Sequence, residues 1–502
     1  MGAMSRWTAD GVHEAFREHF PGVKLVVVSN RQPYAHQNEN GGIVVQLPAG
    51  GLALALDPLL RAVGGTWVAW GDGDADRDVV DEHDRVRVPP EDPVYTIRRV
   101  WLSEDDVERY YLGYSNQALW PLCHNILEHV RFRDRFWKTY VDVNRRFAHA
   151  TVDEMGDDDA LVWVHDYQLA LAPRWIREVR SDVTLAHFWH IPWPAWETFR
   201  VCPQKVELLE GLLANDLIGF HLETFAQNFL DTCVHELDTF VDWGRRTILH
   251  RGRPVSVRAL PISIDVERFE TMAESAETAA RIERIRKRFR LAGRKIGIGV
   301  DRLDYSKGIL ERFEALRVFF RDHPEYLGKF TFVQIAVPSR GEIPAYQHLG
   351  EKVDARIDAM NDDLSTDDWS PIVYIKHPLP QDELAAFYRM ADVAIISSVV
   401  DGMNLVVKEF IACQGDDPGA VCLSEFAGAA DDIDHSIPIN PFYTEGFAED
   451  IRAALEMPLE ERRRRMEAMK ATLRENTIYT WMANFLAETA EARAFSLAHG
   501  AA

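Results

Sequence analysis

The chain has 502 residues, 47% of them hydrophobic, more than a single core can use, which points to two or three domains of an ordinary globular protein. With 79 acidic against 56 basic residues the formal charge is -23, which excludes a nucleic-acid footprint, since that needs clustered positive charge. No apolar run approaches the roughly 18 residues of a membrane span, and the five cysteines, lacking any C-x-x-C spacing, fit reduced thiols in a cytoplasmic protein.

Residues 24–29, KLVVVS, are a β-branched run that predicts a buried strand, ending in Asn30 and Arg31. A polar, Asn- and Gly-rich segment follows, then Pro48, Ala49, Gly50 and Gly51, and then an apolar helical pattern over 52–60. Strand, glycine loop and helix is an arrangement that cradles phosphate, because glycine admits a close backbone approach and the helix start presents unpaired N–H groups. A tight turn ahead of a helix accounts for the same residues.

Segment 71–84 carries Asp72, Asp74 and Asp76. A D-x-D pair can hold a divalent cation, but carboxylate clusters in so acidic a chain are usually solvated loop. No histidine completes a ligand set, so no metal site is expected. Tyr110, Tyr111, Ser115, Asn116 and Trp120 fall on a helical stretch expected to end at Pro121, as core or as stacking partners for a sugar ring.

Strands are predicted over 161–164, delivering His165, Asp166 and Tyr167, and over 185–189, delivering His190. One polar residue at a strand end is usually a hydrogen-bonding or capping group; several at equivalent positions suggest one crevice fed from several strands. Helical patterns over 204–215 and 224–237, a strand within 255–264 and a linker at 261–265 close this half. A charged helix over 270–290 opens the next.

Strands at 296–300, 330–336, 372–375, 393–397 and 420–423 alternate with helices, as a parallel sheet requires. The first lies in IGIGVDRLDYSKG and empties into a polar loop with Arg302 and Lys307. A guanidinium fork and an ammonium there can share the oxygens of a diphosphate, unless both are simply solvated. Arg340 follows a second strand, and Asp401 to Asn404 precede a helix with Leu405, Val406, Val407, Lys408 and Glu409. Its first N–H groups can take a diphosphate and Glu409 a ribose diol; an N-cap with a surface carboxylate is the plainer reading. Ile478, Trp481, Met482, Phe485 and Leu486 give a terminal amphipathic helix that must dock on something, the first domain being one solution. No G-x-G-x-x-G follows any strand, which disfavours a nicotinamide dehydrogenase.

The ordered stretches VVVSNR, PAGGL, YYLGYSN with LWP, WVHDYQL, HIPWP, DRLDYSKG, PSRGE, DGMNLVVKE and LSEFAGAA make residues 25–486 resemble the trehalose-6-phosphate synthase family. These are retaining GT-B glycosyltransferases that join glucose from a nucleotide sugar to glucose 6-phosphate. The resemblance implies an α/β, GT-B fold of two Rossmann-like domains facing a central cleft. Residues 5–264 with a terminal helix 478–502 would bind the acceptor, and 265–477 the nucleotide sugar, the last helix crossing back to the first domain.

By the same resemblance, Gly50 and Gly51 approach the donor diphosphate while Arg302 and Lys307 neutralise it. Leu405, Val406, Val407 and Lys408 line the donor site, Glu409 holds the ribose, and His190 and Asp401 bind the transferred glucose. Arg31, Tyr111, Trp120, Asp166 and Arg340 grip glucose 6-phosphate, with Arg31 and Arg340 on its phosphate. His190, Arg302, Lys307 and Asp401 are the catalytic set. Transfer is then expected on one face through an oxocarbenium-like state, where a preorganised donor such as Arg302 lowers the barrier by about 3 kcal/mol. UDP-glucose is the expected donor, with GDP- and ADP-glucose as alternatives; no cofactor or metal is expected, and a homo-oligomer is allowed.

Three features depart from the pattern or compete with it. Val400 stands where many members carry arginine. Gln32 to Tyr34, TWVAW and TIRRV lean toward the related glucosylglycerol-phosphate synthases, which use glycerol 3-phosphate, whereas Arg340 sides with the trehalose branch. A non-catalytic nucleotide-sugar-binding subunit on this fold would be expected to lose the sugar and phosphate residues, and His190, Arg302, Lys307, Asp401 and Glu409 are all present.

Overall fold

A computed structural model describes residues 7–46 and 51–499. The chain divides into two compact units, Met1–Ile262 with Tyr479–Ala502, and Ser263–Ile478.

The first unit is built on a ten-stranded sheet. Its parallel part runs Arg253–Ala259, Leu217–Phe220, Thr184–Phe188, Ala160–His165, Lys24–Arg31, Thr66–Trp70, Tyr95–Val100, with antiparallel strands at either edge. Val26 to Val28 and Leu161 to Val164 are wholly or almost wholly buried, because helices cover both faces; that is why these strands read as unbroken apolar runs. The order reverses between Lys24–Arg31 and Ala160–His165, so the carboxyl ends of these two strands flank the crevice where such sheets bind ligands. The helix Ile478–His499 buries Trp481, Met482, Phe485 and Leu486 in this unit, and Phe485 stacks on Trp163 with centroids 4.0 Å apart.

The second unit holds six parallel strands in the order Ile372–Ile375, Phe330–Val337, Lys295–Arg302, Val393–Ile396, Ala420–Ser424, Ile437–Ile439. Numbered along the chain this is 3-2-1-4-5-6, the dinucleotide-fold order, with its switch point between Lys295–Arg302 and Val393–Ile396. Buried Arg312 ties the strands together there, donating to Asp301 at 2.6 Å, Gln334 at 2.8 Å and Ser397 at 3.0 Å. Asp301 and Arg302 therefore belong to the strand, and Asp301 to its buried ion pair, rather than to the loop the sequence suggests.

Three other local readings change. The charged segment 270–290 is two helices, Val266–Glu274 and Ala276–Arg288, split at Ser275, whose hydroxyl caps the second through Thr278 N at 3.1 Å. The polar segment after Arg31 forms the hairpin Ala35–Glu39 with Gly42–Gln46. The helix expected to stop at Pro121 is a π-helix, Val107–Leu119, running on into Trp120–Cys123, where Pro121 sits in the first turn and its missing N–H costs little. All five cysteines are buried and free. Among the described residues no helix is long and apolar enough to cross a membrane.

Candidate functional site

In the first unit, Arg31 closes its strand, and its guanidinium lies against a pair of aromatic rings, 5.0 Å from the centroids of both Trp70 and Tyr111, which are 5.9 Å from each other. Its Nη1 pairs with Asp72, and its Nη2 donates to the Tyr111 hydroxyl at 3.3 Å. A flat cation held edge and face in this way is prepared to meet a planar or tetrahedral oxyanion. Trp70 was not singled out from the sequence, although TWVAW was noted; it ends the strand beside Arg31 and faces the same cation.

Behind Arg31 lies a polar network. Gln32 Nε2 donates to Asp72 at 2.8 Å and to Asp76 at 2.6 Å, and its Oε1 accepts from Arg99 Nε at 3.1 Å. Arg99 and Asp76, both fully enclosed, pair at 2.8 Å. Burial alone would raise the Asp76 carboxyl, but hydrogen bonds from His36 and Gln32 and the Arg99 charge hold it below the usual carboxylate range. The acidic segment is thus not solvated throughout: Asp76 is a structural counter-ion, and Asp74 accepts from Asn38 N at 2.7 Å. Among the described residues no group of three His, Cys, Asp or Glu is arranged to hold a metal ion.

The neighbouring strand ends carry the second half of this crevice. Asp166 adopts φ 71° just past Ala160–His165, and its carboxylate accepts the backbone N–H of His190 at 3.1 Å, so these two candidates are brought together. His190 Nε2 lies 3.1 Å from His165 Nδ1. Burial, and then the neighbouring histidines, push His190 well below the ordinary imidazole value, leaving it neutral. Trp120 is buried, stacked on His124 at 4.1 Å and 5.8 Å from Tyr167, whose hydroxyl donates to Asn116 Oδ1 at 2.7 Å. The wide turns of the π-helix set Tyr111, Asn116 and Trp120 along this side; Asn116 Nδ2 bonds Tyr111 O five residues back, at 2.7 Å.

In the second unit, Lys307 and Asp401 meet at the switch point, Nζ to Oδ2 2.6 Å, both largely buried. Asp401 Oδ2 also accepts from Ser398 Oγ and Asn404 Nδ2, each at 3.1 Å. Gly308, at φ 61°, lets the loop approach Ser397, whose carbonyl a Cβ would strike. Arg302 is exposed at its strand end.

Asn404, at φ 90°, caps the helix Leu405–Cys413, its Oδ1 accepting Val407 N at 3.3 Å. Leu405 and Val406 are partly exposed, whereas Val407 is fully buried and the Lys408 ammonium is enclosed, 2.9 Å from Asp432. The Val407 and Lys408 side chains thus pack inward, and the helix start presents backbone N–H groups. Glu409, the fifth residue of the helix, accepts from the Tyr388 hydroxyl at 2.9 Å; burial raises it to about 7, partly offset by that bond. Arg340 is buried at φ 52°, with Nη1 2.5 Å from the Tyr346 hydroxyl and 3.4 Å from Asp304. It is thus not an open loop cation. Gly50 lies outside the described residues, and Gly51 begins the helix Gly51–Val63.

Residues 23–491 match the family described as glycosyltransferase family 20. The chain belongs to glycosyltransferase family 20. Within the family it is similar to a trehalose-6-phosphate synthase of Mycobacterium sp. strain KMS, 40% identical over 94% of this chain and 96% of that one. It is also similar to a UDP-forming alpha,alpha-trehalose-phosphate synthase of Candida albicans, 35% identical over 93% and 97%. Among solved family structures, the Burkholderia xenovorans UDP-forming synthase in complex with glucose-6-phosphate is 32% identical with a TM-score of 0.83, covering 93% of this chain and 99% of that one. An E. coli structure bound with UDP-2-fluoro glucose is 30% identical, with a TM-score of 0.83 over the same shares. The two sheets are the two Rossmann-like halves of a GT-B glycosyltransferase, as the resemblance implied.

Proposed function

We propose that this glycosyltransferase moves glucose from UDP-glucose to glucose 6-phosphate with retention, giving α,α-trehalose 6-phosphate and UDP. The observation that carries the acceptor side is Arg31, held against the paired rings of Trp70 and Tyr111 at the switch point of the first sheet. The relatives named for trehalose-phosphate synthesis, one solved with glucose-6-phosphate, support the same reading.

On the donor side, the N–H groups at the start of Leu405–Cys413 and the Arg302 and Lys307 cations take the diphosphate, and Glu409 accepts from the ribose hydroxyls. As the glycosidic bond breaks, negative charge builds on the leaving diphosphate; fixed cations beside it stabilise that charge without reorganising. Asp401 keeps Lys307 in place. This chemistry asks for no metal. Both substrates are anions, so the cationic side chains of the site work against the -23 charge of the whole chain.

Glycerol 3-phosphate is the competing acceptor. Gln32 and Arg99 lie in two of the segments behind that reading, and they bond to each other at 3.1 Å directly behind Arg31. Proton NMR of the product from UDP-glucose and glucose 6-phosphate tests the first reading: a symmetric α,α-1,1 linkage is expected, and a β-configured or absent product overturns it.

A further inference from the structure

An imidazole can offer a sugar hydroxyl an N–H or a lone pair, and which one is set by the partner of its other nitrogen. For His190 that partner is His165, whose Nδ1 lies 3.1 Å from His190 Nε2, with the rings stacked at a centroid distance of 5.4 Å. His165 is 0% exposed and its Nε2 has no hydrogen-bond partner. The Trp163 ring lies beside it, tilted, at 4.9 Å, and Phe188 is its register partner on the next strand; neither ring offers a lone pair. Burial, with His187 contributing, keeps the His165 ring neutral, and His190 is neutral for the same reason.

Two neutral rings joined by one hydrogen bond have two proton arrangements. If His190 Nε2–H donated to His165 Nδ1, the His165 proton would sit on Nε2, as an enclosed N–H with no acceptor. If His165 Nδ1–H donates instead, the enclosed nitrogen carries only a lone pair. Orphaned buried N–H groups are the rarer of the two, because a donor stripped of water loses more than an under-used acceptor.

We infer that His165 is a positioning residue for the transfer: it donates its Nδ1 proton to His190 Nε2 and thereby fixes His190 as an Nδ1–H donor toward a hydroxyl oxygen of the sugar. The sugar in this statement rests on the function proposed above, but the tautomer does not. No hydrogen bond from a protein group to His190 Nδ1 is found among the described residues, and the Asp166 carboxylate accepts from the His190 backbone N–H.

Nitrogen-15 NMR of the full chain labelled at histidine reads the tautomers, with His165 and His190 variants assigning the signals. Protonated Nδ1 on both rings is expected; protonated Nε2 on either overturns the inference. Kinetics give a second arm. His165→Asn keeps a donor where Nδ1 stood and should retain kcat within about threefold, whereas His165→Leu, with no donor, should lose about tenfold. In a His190→Ala background the Leu change should add nothing further. Equal losses for Asn and Leu, both folded by thermal melting, would show a merely structural role and overturn it. Should the proposed acceptor be wrong, turnover with glucose 6-phosphate fails in every form while the tautomer signals stay as expected.

Discussion

Glu409→Gln separates two properties that this carboxyl couples. Burial lifts its pKa from 4.5 to about 7, so the folded chain holds the proton more tightly than the unfolded one. The stability this group contributes is fully present below pH about 4.5 and is lost as pH rises through about 7. At about 1.4 kcal/mol per tenfold difference in proton affinity, a wholly enclosed carboxyl would cost the fold about 3 kcal/mol at pH 8. Glu409 is partly open to solvent, and screening reduces this to about 1–2 kcal/mol. Glutamine keeps an acceptor for the Tyr388 hydroxyl and removes the charge, so the variant should melt a few degrees above the wild type at pH 8, with the gap closing near pH 5. Its UDP-glucose KM should rise about tenfold, the size of a lost hydrogen bond to a charged group, and its acceptor KM should not move. In the wild type the donor KM should climb as pH falls below about 7. A variant that melts lower at pH 8, or by an amount independent of pH, would refute the assignment of Glu409 as a strained carboxylate kept for the donor.

Four further outcomes follow from the geometry. Arg31→Lys removes the planar fork and its stacking on Trp70 and Tyr111, and steady-state kinetics should show the acceptor KM rising about tenfold with the donor KM unchanged. Lys307→Ala removes the cation paired with the largely buried Asp401 carboxylate; a loss of about 3 kcal/mol in denaturant unfolding and about a hundredfold in kcat is expected. Gly308→Ala drives a Cβ into the Ser397 carbonyl at a left-handed φ of 61°, so the second unit should unfold well below the wild-type temperature, as circular dichroism would record. Arg99→Met takes the arginine from buried Asp76, leaving it the His36, Gln32 and Gly73 hydrogen bonds, which should cost about 3 kcal/mol of stability by the same unfolding measurement and loosen the Gln32 brace behind Arg31.

The parallel strands were the most legible part of the chain because, buried on both faces, they read as unbroken apolar runs; 372–375 even has the observed bounds, Ile372–Ile375. Positions at their carboxyl ends followed from the strand readings, while the site roles expected of Arg31, Asp166, His190, Lys307 and Asp401 rested on the family resemblance. The π-helix could not be read: apolar spacing announces a period of 3.6, and a 13-residue run of wider turns leaves no such signature. Nor could the roles of charged residues that turn inward. Asp76 and Arg99 lie in segments of ordinary surface composition and are fully enclosed, and the Lys408 ammonium is buried against Asp432. Long-range pairing of this kind is set by the fold, and a lone sequence carries no mark of it.

The most direct test is release of nucleoside diphosphate from UDP-, GDP- and ADP-glucose, each offered glucose 6-phosphate or glycerol 3-phosphate, with EDTA present. Turnover with UDP-glucose and glucose 6-phosphate, undiminished by EDTA, is the predicted result. Turnover with glycerol 3-phosphate alone, or silence with every pair, would contradict it.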